Sequence, residues 1–232
     1  MSSSQADQAG FLLHRRPYRE TSFLVDLLTR EHGRISAVAR GARRAKDVPL
    51  QPFFRLSVSW RGRGQLPTVT SYEVEEQHRL VGRNLYAGLY INEILVRTLR
   101  AEETVEGFFE SYEKAIEALA LQLPIEPVLR GFEIELLEKL GYALEFGFDA
   151  GTGAEIDRAG HYQYVHELGF ERVDSSRGDS FDGGTLLEIA NGDFSKPAAR
   201  RAAKHILRRA LRPLIGDKPL ASRALFAGPR ER

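Results

Sequence analysis

The first eighty residues alternate between short apolar runs and turns rich in glycine or proline, and this spacing limits the fold more than any other feature. The five apolar runs span residues 10–14, 21–29, 34–40, 54–60 and 66–74. Within 34–40 and 54–60 every second residue is apolar, which indicates strands with one buried face. Gly33 can adopt a positive φ and close a hairpin, and the segment around Pro17 is predicted to be the first turn. Five short strands predict a small closed barrel, for which the five-stranded OB-fold is the most economical choice.

Helical periodicity replaces this alternation in the rest of the chain. Apolar residues recur at helical spacing in 85–99, 105–119 and 128–140, and a last helix is predicted from near Ser195 to just before Pro213. Residues 146–173 are glycine-rich and break the pattern, and His161–Val165 is typical of a small hairpin. The sequence therefore predicts an α+β protein: an OB-fold domain at 1–80 and an α-helical domain at 81–232, which includes a small inserted hairpin element at about 146–175.

Composition excludes several classes of protein. Of the 232 residues 42% are hydrophobic, which is enough for a sizeable core, and none is cysteine, so disulfides and thiolate zinc sites are impossible. No apolar run is long enough to cross a bilayer, and the first ten residues lack the apolar centre of a signal peptide. We expect a soluble, cytoplasmic protein without a membrane partner, a metal or another cofactor.

Charge is sorted by position along the chain. Residues 14–63 contain 12 Lys and Arg against 4 Asp and Glu, and residues 200–232 contain 10 against 2. Residues 64–199 contain 11 against 25, so the total of +1 hides two basic ends and an acidic middle. Basic surfaces bind polyanions because neutralised phosphates release their condensed counterions. The alternative is a set of solvated faces with scattered arginines, but the clustering favours contact with DNA.

The predicted DNA-binding residues lie in the turns of the barrel and on the last helix. Arginine suits this role because its planar, permanently charged guanidinium can donate two hydrogen bonds to phosphate oxygens. Tyr18, Phe53 and Trp60 are candidates for base stacking, although Trp60 ends an alternating strand and is expected in the core. The predicted set comprises Arg15, Arg16, Arg19, Arg34, Arg40, Arg43, Arg44, Lys46, Arg61, Arg63, Arg201, Lys204 and Arg208.

The last three of these residues share one face of the last helix with Arg200 and Arg212. The opposite face is apolar, with Ala203, Ile206 and Leu207 among its residues. A basic amphipathic helix can bind a membrane, but this apolar face is rich in alanine and lacks aromatic residues, so insertion would be weak. We expect the apolar face to pack on the other helices and the basic face to meet nucleic acid.

Catalytic motifs are absent from the sequence. It contains no phosphate-binding GxxxxGK[ST] loop, no GxSxG and no HExxH, and His161 and His166 are typical of ordinary surface histidines. This favours a binding protein over an enzyme. The alternative function is a Mg²⁺-dependent nuclease whose metal is held by carboxylates of the acidic middle segment.

The chain resembles the bacterial RecO family of recombination mediators in ordered segments over nearly its whole length. The matching segments are HRRPYRETS (14–22), TREHGR (29–34), ARGARR (39–44), LQPF (50–53), WRGRG (60–64), LYAGLYINEIL (85–95), FEIELLEKLGY (132–142) and PLASRALF (219–226). The resemblance implies an OB-fold, a helical domain and a zinc-finger-like insertion, which here is Cys-free. It also implies a nucleoid-associated protein that binds single- and double-stranded DNA and anneals complementary strands. RecR and the single-stranded-DNA-binding protein SSB are implied as direct partners and RecA as an indirect one.

A binding site for the acidic, Phe-terminated tail of SSB is also implied by this resemblance. Arg130 matches the basic position of the family in this helix, and Leu129, Phe132 and Leu136 are the expected pocket wall. The alternative is that Arg130 only pairs with Glu126 or Glu133 on its own helix. Ala221 and Ala224 replace the usual basic and acidic residues near the carboxyl terminus of this chain, so no role is predicted for its own carboxyl-terminal segment.

Overall fold

A closed five-stranded barrel forms the amino-terminal part of the chain. The computed structural model describes residues 4–43, 50–62, 66–174 and 178–226. The strands are β1 (Ser4–Tyr18), β2 (Ser22–Thr29), β3 (Gly33–Ala39), β4 (Phe54–Arg61) and β5 (Thr68–Gln77), in the order β1-β2-β3-β5-β4. Strands β3 and β5 are parallel, and all other neighbours in the barrel are antiparallel. The prediction of an α+β protein with five amino-terminal strands is confirmed.

The first strand extends much further than the apolar run that predicted it. Residues 15–18 were expected in a turn, but they pair with β2 as far as Tyr18 opposite Ser22, with an irregularity between Leu12 and His14. The turn itself is limited to residues 19–21. Cross-strand pairing therefore overrides the local turn signal of Pro17, and Arg15 and Arg16 lie on a strand.

The barrel interior is filled by the alternating apolar residues of its strands. Trp60 is 5% exposed, as expected for a core residue, and Leu56 and Val58 of the same strand are also buried. The remaining buried residues of this cluster are Leu12, Val25, Leu27, Ile35, Ala37, Ala39, Ala42 and Leu50. The alternation predicted for β3 and β4 is therefore confirmed.

The first compact unit comprises residues 1–123 and 218–232. It contains the barrel, the two helices that follow it and the carboxyl-terminal segment. These helices are α1 (Gly82–Thr98) and α2 (Phe108–Ala120). A buried chain of hydrogen bonds links them to β1: Asn92 Nδ2 donates to the Leu13 carbonyl at 2.9 Å, and Tyr112 Oη donates to Asn92 Oδ1 at 2.8 Å. Burial raises the pKa of Tyr112, so the hydroxyl keeps the proton that it donates.

Gly33 is required at the hairpin between β2 and β3 for two reasons. Its φ is +59°, a conformation that other residues adopt only with strain. A Cβ atom at this position would also lie 2.0 Å from the backbone oxygen of Glu103. The predicted hairpin is confirmed, and the glycine also allows the segment before α2 to approach the barrel.

The second compact unit, residues 124–217, contains three helices and a small sheet. Its first helix, α3, spans Ile125–Lys139. The three strands β6 (His161–Val165), β7 (Gly169–Val173) and β8 (Ser180–Asp182) form a sheet in the order β7-β6-β8, and α4 (Gly183–Ala190) and α5 (Pro197–Ile215) follow. The hairpin predicted at His161–Val165 is confirmed by the pairing of β6 with β7.

Aromatic packing stabilises this small sheet without thiolates. Tyr162, Tyr164 and Phe170 are buried, whereas Phe148 is 47% exposed. Phe146 is also buried, with its ring centroid 5.1 Å from that of Phe170.

The observed bounds of the last long helix differ from the predicted ones. Helix α5 begins at Pro197 with Lys196 as its cap, and it continues through Pro213 to Ile215. A short last helix, α6 (Ala221–Leu225), groups with α1, α2 and the barrel in the first compact unit, and a domain boundary near residue 80 stays a prediction. Among the described residues, no helix has both the length and the apolar character needed to cross a membrane.

Candidate nucleic-acid interface

One row of side chains crosses the outer face of the barrel and has an exposed arginine at each end. The row begins at Arg16 on β1, which pairs with Leu24 on β2, and Leu24 pairs in turn with Val38 on β3. It continues from Val38 to Thr68 on β5 and ends at Arg61 on β4. Residues paired across strands project from the same face of a sheet. We call these five residues the outer row. Arg16 and Arg61 are exposed, Leu24 is half-buried, and Val38 is 8% exposed.

Two turns beside the outer row are joined by hydrogen bonds of Arg43. Its backbone N–H donates to the Thr21 carbonyl at 3.1 Å, and its Nη1 donates to the Arg19 carbonyl at 2.9 Å. The turn at 19–21 and the turn at 40–43 are therefore fixed against each other. Arg19, Arg40 and Arg43 are all exposed on these turns.

An open groove of about 580 Å³ lies between these turns and the outer row. Arg19 and Arg40 line it together with Val38 and Thr68 of the outer row. Tyr18, Glu20, Thr21, Ser22 and Leu66 complete the lining. The groove thus brings together the β1–β2 turn, the end of β3 and the start of β5, which lie far apart in the sequence.

Stacking on aromatic rings holds two arginines at this end of the barrel. The Arg19 guanidinium lies over the Tyr18 ring at 5.3 Å, and that of Arg15 lies over the Phe23 ring at 4.9 Å. Arg15 also donates a hydrogen bond to the Leu50 carbonyl. Burial raises the pKa of Tyr72, and the positive charge of Arg15 acts in the opposite direction.

Arg34, one of the predicted DNA-binding residues, is engaged by other residues of the first compact unit. Its side chain is only 16% exposed. Its Nη1 donates to Asp26 Oδ1 at 3.2 Å and to the Val96 carbonyl at 3.3 Å, while Ser36 Oγ donates to the same carboxylate oxygen at 2.6 Å. Arg34 therefore joins the barrel to α1.

Of the three candidates for base stacking, two are buried. Phe53 and Trp60 are both 5% exposed, and only Tyr18 is half-buried beside the groove. Phe53 is buried against Gly88 of α1, where an added Cβ would lie 2.8 Å from its ring. Arg44, Lys46 and Arg63 lie outside the described residues.

The basic face predicted on α5 is present, although its members differ in exposure. Arg201 and Arg208 are exposed and Lys204 is half-buried, whereas Ala203, Ile206 and Leu207 of the opposite face are fully buried. Arg200 shares the basic face but is engaged by its own unit, because its Nε lies 3.3 Å from Glu126 Oε2 and its Nη1 donates to two backbone carbonyls. Arg201, Lys204 and Arg208 remain the predicted DNA-binding residues of this helix.

The residues predicted to bind the SSB tail lie together on α3 but are buried. Arg130 is 5% exposed, and its Nη1 lies 2.9 Å from Oε2 of Glu133, which is 1% exposed. Leu129, Phe132 and Leu136 are at most 6% exposed. The pairing of Arg130 with Glu133 is the alternative that the sequence left open.

The sequence analysis missed the apolar centre of the outer row. In the sequence, Val38 alternates with Ile35, Ala37 and Ala39, but Leu24 stands in a continuous apolar run. Strict alternation would have found them, because the buried positions Val25, Ala37 and Ala39 assign their immediate neighbours to the outer face. Among the described residues, no group of three or more His, Asp or Glu is arranged to hold a metal ion.

A five-stranded barrel whose outer face is bounded by arginines is typical of nucleic-acid-binding proteins. Comparison with known families identifies the family to which the chain belongs. The sequence matches the family models "Recombination protein O N terminal" over residues 1–78 and "Recombination protein O C terminal" over residues 79–224. The chain therefore belongs to the RecO family of DNA repair and recombination proteins.

Individual relatives match over almost the full length. The chain is 44% identical over 225 residues to the DNA repair protein RecO of Cellvibrio japonicus, which covers 94% of this chain and 95% of that protein. It is 44% identical over 230 residues to that of Pseudomonas aeruginosa, covering 99% and 98%. It is 43% identical over 222 residues to that of Psychromonas ingrahamii, covering 93% and 95%.

Proposed function

We propose that this chain is a DNA-binding recombination mediator in DNA repair and not an enzyme. The observation that carries the proposal is the groove, where Arg19 and Arg40 lie beside the outer row and Arg43 locks the two turns. The strand order and the parallel β3–β5 pair support an OB-fold, which binds oligonucleotides on its β2–β3 face and its β1–β2 and β4–β5 loops. The groove uses these same elements.

Its mechanism is electrostatic. Arg15, Arg16, Arg19, Arg40, Arg43 and Arg61 neutralise one phosphate chain, and Arg44, Lys46 and Arg63 add charge in the neighbouring loops. Arg201, Lys204 and Arg208 on α5 provide a second basic surface for single- or double-stranded DNA. Lower repulsion between two phosphate chains lets complementary strands meet and anneal.

Family membership supports the proposed partners. Together with RecR, the protein helps to load RecA onto single strands coated with SSB, in the cytoplasm and at the nucleoid. Capture of the SSB tail belongs to this proposal, with Arg130 as its predicted cation. Arg130 and Glu133 are paired at 2.9 Å. Arg130 must therefore release Glu133 before it can bind a carboxylate of the SSB tail directly.

The test is an annealing assay with two labelled complementary strands. The protein should accelerate duplex formation without Mg²⁺, and labelled strands incubated with Mg²⁺ should stay intact. Unassisted annealing rates would refute the proposal. Cleavage that depends on Mg²⁺ would instead support the nuclease alternative.

A further inference from the structure

The aromatic rings beside the groove are covered or buried, although OB-folds that hold single strands commonly stack bases on exposed rings. Tyr18 is the aromatic residue in the groove lining, and Arg19 lies over its ring at 5.3 Å. Phe23, on the neighbouring strand, is covered by Arg15 at 4.9 Å. Trp60 is in the core. The sequence of residues 44–49 and 63–65 contains no aromatic residue, so these loops cannot supply a stacking ring either.

We propose that the groove holds the sugar–phosphate backbone of DNA and leaves the bases facing outward, free to pair. The inference rests on the proposed function, since it describes how the same groove takes its ligand. The inference goes further than the proposed function in a testable way, because DNA binding as such does not require the bases to face outward.

The stacked arginines suit phosphate better than they suit bases. A guanidinium that covers a ring still presents N–H donors at its edge, and an arginine has five of them. Stacking also restricts the side chain before DNA arrives, which lowers the entropy lost on binding. Arg19 is therefore preorganised to donate to phosphate oxygens at the rim of the groove.

The floor of the groove supports the same orientation. Of the outer row, Val38 and Thr68 line the groove, and they offer methyl groups and one hydroxyl. These two side chains can contact deoxyribose and phosphate but lack the amide or carboxylate groups that read base edges, and the carboxylate of the lining, Glu20, lies on the β1–β2 turn. The outer row thus combines charge for the backbone with a base-independent floor.

Outward bases connect this geometry to annealing. A strand whose bases are stacked on protein must lose that stacking before it can pair. Each lost base stack reduces its affinity for the protein by roughly 5- to 150-fold. A strand held only by its backbone keeps its pairing edges available to a complementary strand. Affinity should then depend on the number of phosphates and little on the bases.

The test compares an ordinary single-stranded oligonucleotide with an abasic one of equal length and phosphate number, titrated into the full chain at several salt concentrations. We expect affinities within about twofold of each other and equal salt slopes, because phosphates alone set the slope. Bound thymines should remain reactive to permanganate. Arg40→Gln should weaken the binding of both oligonucleotides by the same factor.

Tenfold weaker binding of the abasic strand, protected thymines or unequal effects of Arg40→Gln would overturn the inference while leaving the proposed function intact. Failure of the ordinary strand to bind would overturn both. The two failures are therefore distinguishable in one titration series.

Discussion

Removing the two arginines at the ends of the outer row should change the salt dependence of DNA binding by a predictable amount. Arg16 and Arg61 are exposed, and neither forms an ion pair within the described part of the chain. In the double variant Arg16→Gln, Arg61→Gln, two phosphate contacts are lost. Each contact contributes a slope of about −0.7 to log affinity against log salt for a single strand. The slope should therefore become about 1.4 less negative.

The expected change is large enough to measure by fluorescence anisotropy. Between 50 and 200 mM salt, a slope difference of 1.4 corresponds to roughly a sevenfold difference in the loss of affinity. The wild-type protein should thus lose about seven times more affinity than the double variant over this range. Sequence composition of the oligonucleotide should have little influence, because the contacts are to phosphate.

Arg30→Gln provides the matched control. Arg30 also belongs to the barrel unit and its side chain is 43% exposed, but it lies 3.0 Å from Glu110 and stacks over Phe109 at 4.8 Å. Its charge is already engaged, so its loss should leave the slope unchanged. An unchanged slope in the double variant, or an equal change in Arg30→Gln, would refute the assignment of the outer row to DNA.

Three further predictions concern stability and metal content. Arg130→Ala should destabilise the second unit by about 3–5 kcal/mol in chemical denaturation, because it removes the partner of the buried Glu133 carboxylate; a stable variant with weaker binding of a fluorescent SSB-tail peptide would instead support the tail site. Glu93 is partly buried, which raises its pKa, but hydrogen bonds from Ser222 and Ala221 and the charge of Arg97 outweigh this and lower it overall. Because the folded-state pKa is depressed, the melting-temperature advantage of wild type over Glu93→Gln should be greatest at neutral pH and shrink as the pH falls from the ordinary pKa of glutamate through the lower folded-state pKa; a gap that is constant with pH would contradict this. Purified protein should contain no stoichiometric zinc by elemental analysis, and a chelator should not shift its melting temperature.

The sequence was sufficient to predict the barrel strands and the basic clusters, but not which arginines are available to DNA. Alternation identified Trp60 as a core residue and Ile35, Ala37 and Ala39 as one buried face, because strand periodicity depends only on local geometry. The pairing of Arg130 with Glu133 was foreseen only as an alternative. Its burial depends on packing that helical spacing alone does not fix.

The availability of an arginine depends on the side chains that lie beside it on the neighbouring strand. Arg34 and Val38 project from the same face of β3, yet Arg34 is held by Asp26 whereas the row through Val38 contains no carboxylate. Asp26 also accepts a hydrogen bond from Ser36, so one carboxylate marks where the cationic surface ends and where the contact with α1 begins. In the basic segment 14–63, Asp26 thus holds Arg34 at α1, and Glu110 of α2 holds Arg30 in the same way, whereas Arg16 and Arg61 are exposed. Charge counted along the sequence locates such a surface, but only strand register shows its border.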